Sequence, residues 1–168
     1  IGADAAALLD RLSANRLPAA EGGIRLVHML TGLGGIECEM TVTRLADDRF
    51  YLNSALVGRT HDRDWIVNHI GSGESVTVTD VTDQRAILAV TGPAAREALS
   101  PLADADLGND TFGWLTARKI RVAGIACTAL RVSYVGELGW ELHHSIDSMP
   151  DLYTALVAAG NPHGMVHF

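Results

Sequence analysis

An α+β domain made of two similar halves is what this sequence predicts, and three observations lead there. Short stretches with period-two alternation follow one another closely, which favours antiparallel pairing. Amphipathic helix patterns flank them. Several segments also recur at nearly one spacing. Gly2 and Gly92 each open a Gly-x-x-Ala with a leucine seven residues on, Leu9 and Leu99 (92 − 2 = 90). Gly35 and Gly124 each open Gly-Ile-x-Cys, which pairs Cys38 with Cys127 (124 − 35 = 89). "FYL" at Phe50 matches "WEL" at Trp140 (140 − 50 = 90). Each half then closes on a helix-like segment. The predicted pseudo-repeats cover about 2–70 and 92–160, fused in one pseudo-symmetric domain around a shared core.

Taken in order, the first element is a short helix with Leu8, Leu9 and Leu12 on one face. "IECEMTV" is a half-buried strand, with Ile36, Cys38, Met40 and Val42 on one side and Glu37, Glu39, Thr41 and Thr43 on the other. "THDRDWIVNHI" reads as a helix capped by Thr60, with Trp65, Ile66, His69 and Ile70 facing in. "SVTVTDV" and "RAILAV" read as strands, the second apolar enough to be central. Pro93 suits the first turn of a helix that Pro101 ends. "SMPDLYTALVAAG" is a helix with Ser148 as cap and Asp151 three residues later. Its apolar stripe is Met149, Leu152, Tyr153, Leu156 and Val157, and Gly160 terminates it. The chain opens directly into a helix pattern and stops on a strand-like or buried "HGMVHF", as a piece of a longer polypeptide does.

Composition narrows the function classes. Of 168 residues, 48% are hydrophobic, enough for a core. Thirteen basic and twenty acidic side chains give a net charge of −7, which argues against a general nucleic-acid or anionic-membrane binder. No apolar run reaches the roughly 18–20 residues of a membrane helix, and the N-terminus carries no signal-peptide pattern. Cys38 and Cys127 read as reduced, buried thiols of a cytoplasmic protein, with a disulfide left open. None of the seven histidines has metal-ligand spacing, so no metal is expected. His143 and His144, adjacent in a strand, point to opposite faces. Nucleotide-binding glycine motifs and Gly-x-Ser-x-Gly are absent.

Two carboxylates stand out. Glu39 follows a "GLGG" turn; it reads either as part of a solvated strand face beside Glu37 or as a functional acid. Glu137 sits between Gly136 and Gly139 in "YVGELGWELHH"; it reads either as a surface hairpin tip or as a ligand anchor. Tyr134, Leu138 and Trp140 surround it, and aromatic side chains beside one acid suit a planar ligand with a polar edge. A carboxylate accepts two parallel hydrogen bonds from an N–H/N–H edge such as a guanidine or a pterin. The glycines let backbone approach a flat ring.

"LRVSYVGELGWELH" resembles the Tyr-x-Gly-Glu-x-Gly-aromatic-Glu signature of the tetrahydrofolate-dependent aminomethyltransferase family. That family includes the glycine-cleavage T-protein and the C-terminal domains of dimethylglycine and sarcosine dehydrogenases. "GGIECEMTVTRLADDRFYL" and "RAILAVTGPAAREAL" resemble two further family segments, and "THDRDWI" leans toward the dehydrogenase branch. The resemblance runs over nearly the whole chain. It implies a duplicated, interleaved α+β folate-binding domain. It places Glu39 where the family has its catalytic acid, usually Asp, and Glu137 where an acid grips the pterin edge. Tyr134, Gly136, Gly139 and Trp140 are the other folate-binding candidates. The family's first strand, and a later segment with a folate-contacting arginine, fall outside Ile1–Phe168.

The activity the resemblance implies is transfer of one carbon to tetrahydrofolate from an iminium of a dimethylglycine- or sarcosine-type amine. FAD belongs to a domain outside this chain, so the implied partners are folate, a methylated amine and the flavin domain of a parent polypeptide. Other family readings are a glycine-cleavage T-protein and a sulfonium demethylase. A non-enzymatic one is a folate-binding iron–sulfur assembly protein, whose usual Lys-Gly-Cys-Tyr-x-Gly-Gln-Glu differs from "SYVGELGWE" here.

Overall fold

Eleven residues, Ile36–Ala46, form β2, the central strand of the first half of the chain. β1 (Ile24–Leu30) and β3 (Arg49–Asn53) flank it in an antiparallel sheet of order β1-β2-β3. Cys38, Met40 and Val42 alternate onto the buried face, and the register sets Met29 opposite Cys38 and Val27 opposite Met40. Leu8 and Leu9 of α1 (Ala5–Leu12), Phe50 of β3 and Ile66 of α2 (Arg59–Asn68) complete this cluster. Ile36 was expected on the same face but is 65% exposed. The ladder shifts register between Met29 and Leu30, so the pairing that buries Cys38 does not extend to Ile36.

The computed structural model describes residues 1–168, in two units, Ile1–Asp80 and Val81–Phe168. In the second unit, β4 (Arg85–Thr91), β5 (Ala117–Val122), β6 (Ile125–Leu130) and β7 (Gly139–Ser145) form an antiparallel sheet of order β4-β7-β6-β5. α3 (Ala95–Leu99) and α4 (Met149–Gly160) pack on it. Leu99, Phe112, Val122, Ala129, Trp140, Leu142 and Leu152 belong to its core. Fully burying a side chain of the size of Leu152 contributes about 1.5–3 kcal/mol. Both units run helix, three successive antiparallel strands, helix, with β2 beginning at Ile36 and β6 at Ile125. Each has its own apolar cluster, where the sequence pointed to one shared core.

Several local expectations change. "SVTVTDV" forms no ladder strand: Thr77 exchanges hydrogen bonds only with Ile1, while Val76 and Val78 pack on the first core. β4 is an edge strand of its sheet, not a central one, because β7 pairs with it on one side only. α2 starts at Arg59 with Gly58 at the N-cap, so Thr60 lies inside the helix, and His69 is exposed at its end. Ser148 does precede α4, but its hydroxyl bonds Ser145 O and faces His144 Nδ1 instead of capping the helix. Tyr153 is exposed and meets His167. At the C-terminal end Met165 packs on the second core, whereas Val166 and Phe168 are exposed.

Two features of the backbone and surface carry measurable consequences. Ala123 and Gly124 form the two-residue turn between β5 and β6, both with positive φ, +51° and +78°. Tight hairpins require this left-handed geometry, which Ala adopts only under strain. Ala123→Gly is therefore expected to stabilise the chain by about 0.5–1 kcal/mol, seen as a higher melting temperature.

Arg11 of α1 forks onto Glu74 at 2.6 and 3.0 Å and also donates to His69 O, while Gly71 N–H donates to Glu74. These bonds, the arginine first, hold the Glu74 carboxyl down at about 2, against an ordinary 4.5. The unfolded chain therefore binds the proton first as pH falls, so this contribution is complete above pH 4.5 and is lost toward pH 2. The melting-temperature gap between wild type and Glu74→Gln should be largest near neutrality and should close between pH 4.5 and pH 2.

Candidate active site

The outward face of the first sheet carries the acids of β2. Burying Cys38 and Met40 turns Glu37 and Glu39 to the other side. Glu39 lies opposite His28 in the β1–β2 register, and its Oε2 is 2.7 Å from His28 Nε2. The carboxylate stays more than half exposed, so it is both oriented and reachable.

One residue earlier, Glu37 begins a different chain of contacts. Its Oε1 lies 2.8 Å from Nε2 of His61, whose Nδ1 is 3.0 Å from Oδ1 of Asp62. Asp62 is buried, and its carboxylate lies 2.8 Å from where a Cβ on Gly58 would stand, so only glycine fits there without displacing it. Burial first, then the negative charge of Asp62, pushes the Cys38 thiol up to about 12. Hydrogen bonds to Asp62 and then Glu37 raise the pKa of His61. No metal was expected from sequence spacing, yet Cys38, His61 and Asp62 bring one ligand atom each within 4.8 Å of the others.

In the second unit, residues 131–138 join β6 to β7, which begins at Gly139. Gly136 has φ +83°, the left-handed conformation that turns the chain. Gly139 has a different reason: a Cβ there would lie 3.1 Å from Thr91 Cβ and Val90 O of β4. The two glycines thus set the turn's reversal and its return to the sheet. Between them Glu137 is exposed and has no partner within the chain. Tyr134 is fully exposed.

Trp140 does not join them. It is 1% exposed and belongs to the core, packed edge-on against Phe112 with ring centroids 6.2 Å apart. The alternation of β7 directs it inward, so its ring presents no face beside Glu137. The guanidiniums of Arg96 and Arg131 each lie 5.7 Å from its ring centre. Arg131, also buried, donates to Phe112 O and to Asn109 Oδ1, and Arg96 shares that Asn109 oxygen. Burial, then repulsion from Arg96, lowers the pKa of Arg131. Arg131 therefore anchors the base of the loop that carries Glu137. Sequence reading missed it, although an arginine interrupting the apolar run "TALRVS" was the available signal. It also missed His28, His61 and Asp62, which only pairing and packing bring to the acids of β2.

The model of the GCVT N-terminal domain family matches residues 1–168. The chain belongs to this family. It is 38% identical to the mitochondrial dimethylglycine dehydrogenase of Homo sapiens, over 99% of this chain and 19% of that protein. It is 32% identical to the mitochondrial sarcosine dehydrogenase of Homo sapiens, over 99% of this chain and 20% of that protein. The chain therefore spans about a fifth of the length of these relatives. Its fold is similar to that of the glycine cleavage system aminomethyltransferase T from Bartonella henselae, with a TM-score of 0.78 at 22% identity, over 93% of this chain and 41% of that one. Within this GCVT-type domain Glu39 lies in the first unit, and Tyr134, Gly136, Glu137, Gly139 and Trp140 lie in the second.

Both cysteines are unpaired and buried, Cys38 and Cys127, and burial raises the Cys127 pKa as well. Thiolate is the reactive form. Alkylation at pH 8 in the native state should be slow at both thiols and become complete on unfolding, as followed by mass spectrometry.

Proposed function

We propose that this GCVT-type domain performs the folate-dependent half of an oxidative demethylation. It takes the one-carbon unit of an amine-derived iminium, of the dimethylglycine or sarcosine type, within a larger flavin-dependent dehydrogenase. The observation that carries this reading is the unpartnered carboxylate of Glu137, displayed on the Gly136 turn of the loop that also exposes the ring of Tyr134. Both carboxylate oxygens are available, which fits the paired N–H donors of a pterin edge. Trp140 does not fit a stacking role, since its ring is enclosed in the core. The identity to dimethylglycine dehydrogenase over nearly the whole chain supports the choice of amine class.

Tetrahydrofolate held there would supply the two nitrogens that take up the one-carbon unit in place of the amine nitrogen, which would leave as the demethylated amine. The residues of this chain contribute binding and electrostatics. Glu137 holds and orients the pterin edge, with Tyr134 against the ring. Arg131 keeps the loop in place from below through Phe112 O and Asn109. Glu39 stabilises the iminium charge and accepts the proton released on capture, its orientation set by His28 at 2.7 Å. Such general-base help is worth about 10²–10⁴ in rate.

Substitutions in the parent enzyme separate the two acids. Glu137→Gln replaces an acceptor oxygen with an amide that repels the donors. A charge-assisted hydrogen bond contributes about 1.5–3 kcal/mol, so folate affinity should fall by roughly one to two decades in a calorimetric titration. Glu39→Gln should leave folate affinity near normal and increase the free formaldehyde released per amine oxidised. Unchanged affinity in the first variant removes the anchor role; unchanged formaldehyde in the second removes the catalytic role of Glu39.

A further inference from the structure

We propose that Cys38, His61 and Asp62 form a zinc-class metal site, with Glu37 as the outer carboxylate that orients the imidazole. The three donor atoms lie within 4.8 Å of one another, a separation that a small inward adjustment brings to the edge of a tetrahedral ion. One thiolate, one imidazole and one carboxylate is a donor set that suits zinc and disfavours magnesium or calcium, which prefer oxygen alone.

The surroundings are organised for such a site. Cys38 comes from the buried face of β2 and Asp62 from the first turns of α2, where Gly58 leaves room for its carboxylate. His61 offers Nδ1 on the Asp62 side, while Nε2 is 2.8 Å from Glu37 Oε1. That is the arrangement in which a metal-bound histidine donates its other ring N–H to a carboxylate, fixing tautomer and direction. The His61 side chain is 53% exposed, so an ion has a route in and a solvent-side position remains for a fourth ligand. The sequence hides the site because its ligands fall as Cys38 and an adjacent His61-Asp62 pair, 23 residues apart (61 − 38 = 23) and on two different elements.

Binding has a balanced proton stoichiometry. The thiol of Cys38 must release its proton to become a ligand. His61, whose flanking carboxylates favour the protonated ring, must release the Nδ1 proton and keep Nε2–H toward Glu37. The ion therefore displaces one proton from sulfur and, where the ring is protonated, one from nitrogen, and no oxidant or reductant takes part.

The test is a titration of the reduced, metal-free chain with zinc chloride by calorimetry at pH 7, repeated in buffers of different ionisation enthalpy. Cobalt chloride serves as the spectroscopic probe. One zinc per chain is expected, with between one and two protons released and a thiolate-to-cobalt charge-transfer band. His61→Ala and Cys38→Ala should each weaken zinc at least tenfold and change the cobalt spectrum. Glu37→Gln should weaken it about 10–100-fold while leaving the thiolate band. Cys127→Ala, an equally buried thiol outside the cluster, should bind as wild type. His61 is exposed, so its variant keeps the test open if Cys38→Ala fails to fold. The proposal is overturned by an absence of saturable zinc binding, by binding without proton release, or by equal affinity in His61→Ala.

Discussion

The two-residue period of an antiparallel strand is the constraint on which the rest of the first unit depends. β2 buries Cys38, Met40 and Val42 against α1 and α2, and that alone commits Glu37 and Glu39 to the opposite side. A one-residue slip would exchange the two sets and place carboxylates in an apolar core, at a desolvation cost far beyond any surface gain. Placement of the acids is thus a by-product of hydrophobic burial. The β1 register then supplies His28 to Glu39, and the entry of α2 supplies His61 to Glu37.

The second unit solves a different problem. A loop that displays an unpaired carboxylate has little of its own to hold it, because Glu137 and Tyr134 make few contacts. The order comes from below. Arg131 takes two acceptors from the segment around Asn109 and Phe112, and the guanidiniums of Arg96 and Arg131, which share the Asn109 oxygen, each lie 5.7 Å from the Trp140 ring centre. A buried guanidinium is costly unless bonded, so these contacts over-determine where the loop leaves β6 and re-enters β7. The residue that resembles a ligand-stacking aromatic is therefore part of the foundation, and the residues left outside are available for a ligand.

Cys38 and Glu39 show how neighbouring positions acquire different chemistry. One is an apolar-side thiol raised to about 12 by burial and by Asp62; the next is a solvent-side carboxylate bonded to an imidazole. The acid–histidine–acid sequence from Glu37 through His61 to Asp62 crosses between these environments at the end of the strand, where the register shift exposes Ile36. Strand irregularities of this kind often accompany sites, because they re-aim side chains that a regular ladder would hold apart.

The sequence by itself determined the α+β class, the inward run Cys38-Met40-Val42 and the helices around Leu8, Ile66 and Leu152. It also determined the Gly-x-x-Gly turn holding Glu137 and, through its motifs, the family. Each of these is written in local periodicity or in residues whose backbone freedom has no substitute, so a single strand or turn suffices to show it. Tertiary structure alone decided that "RAILAV" lies at a sheet edge and that "SVTVTDV" joins no ladder. It alone placed Trp140 in the core within 5.7 Å of two arginines, and His28, His61 and Asp62 beside the acids of β2. Those outcomes depend on which strand pairs with which and which helix packs on which face. They are contacts between residues 9 to 44 positions apart (Trp140 to Arg131, His28 to Glu39, His61 to Glu37, Trp140 to Arg96) whose energies no local pattern encodes.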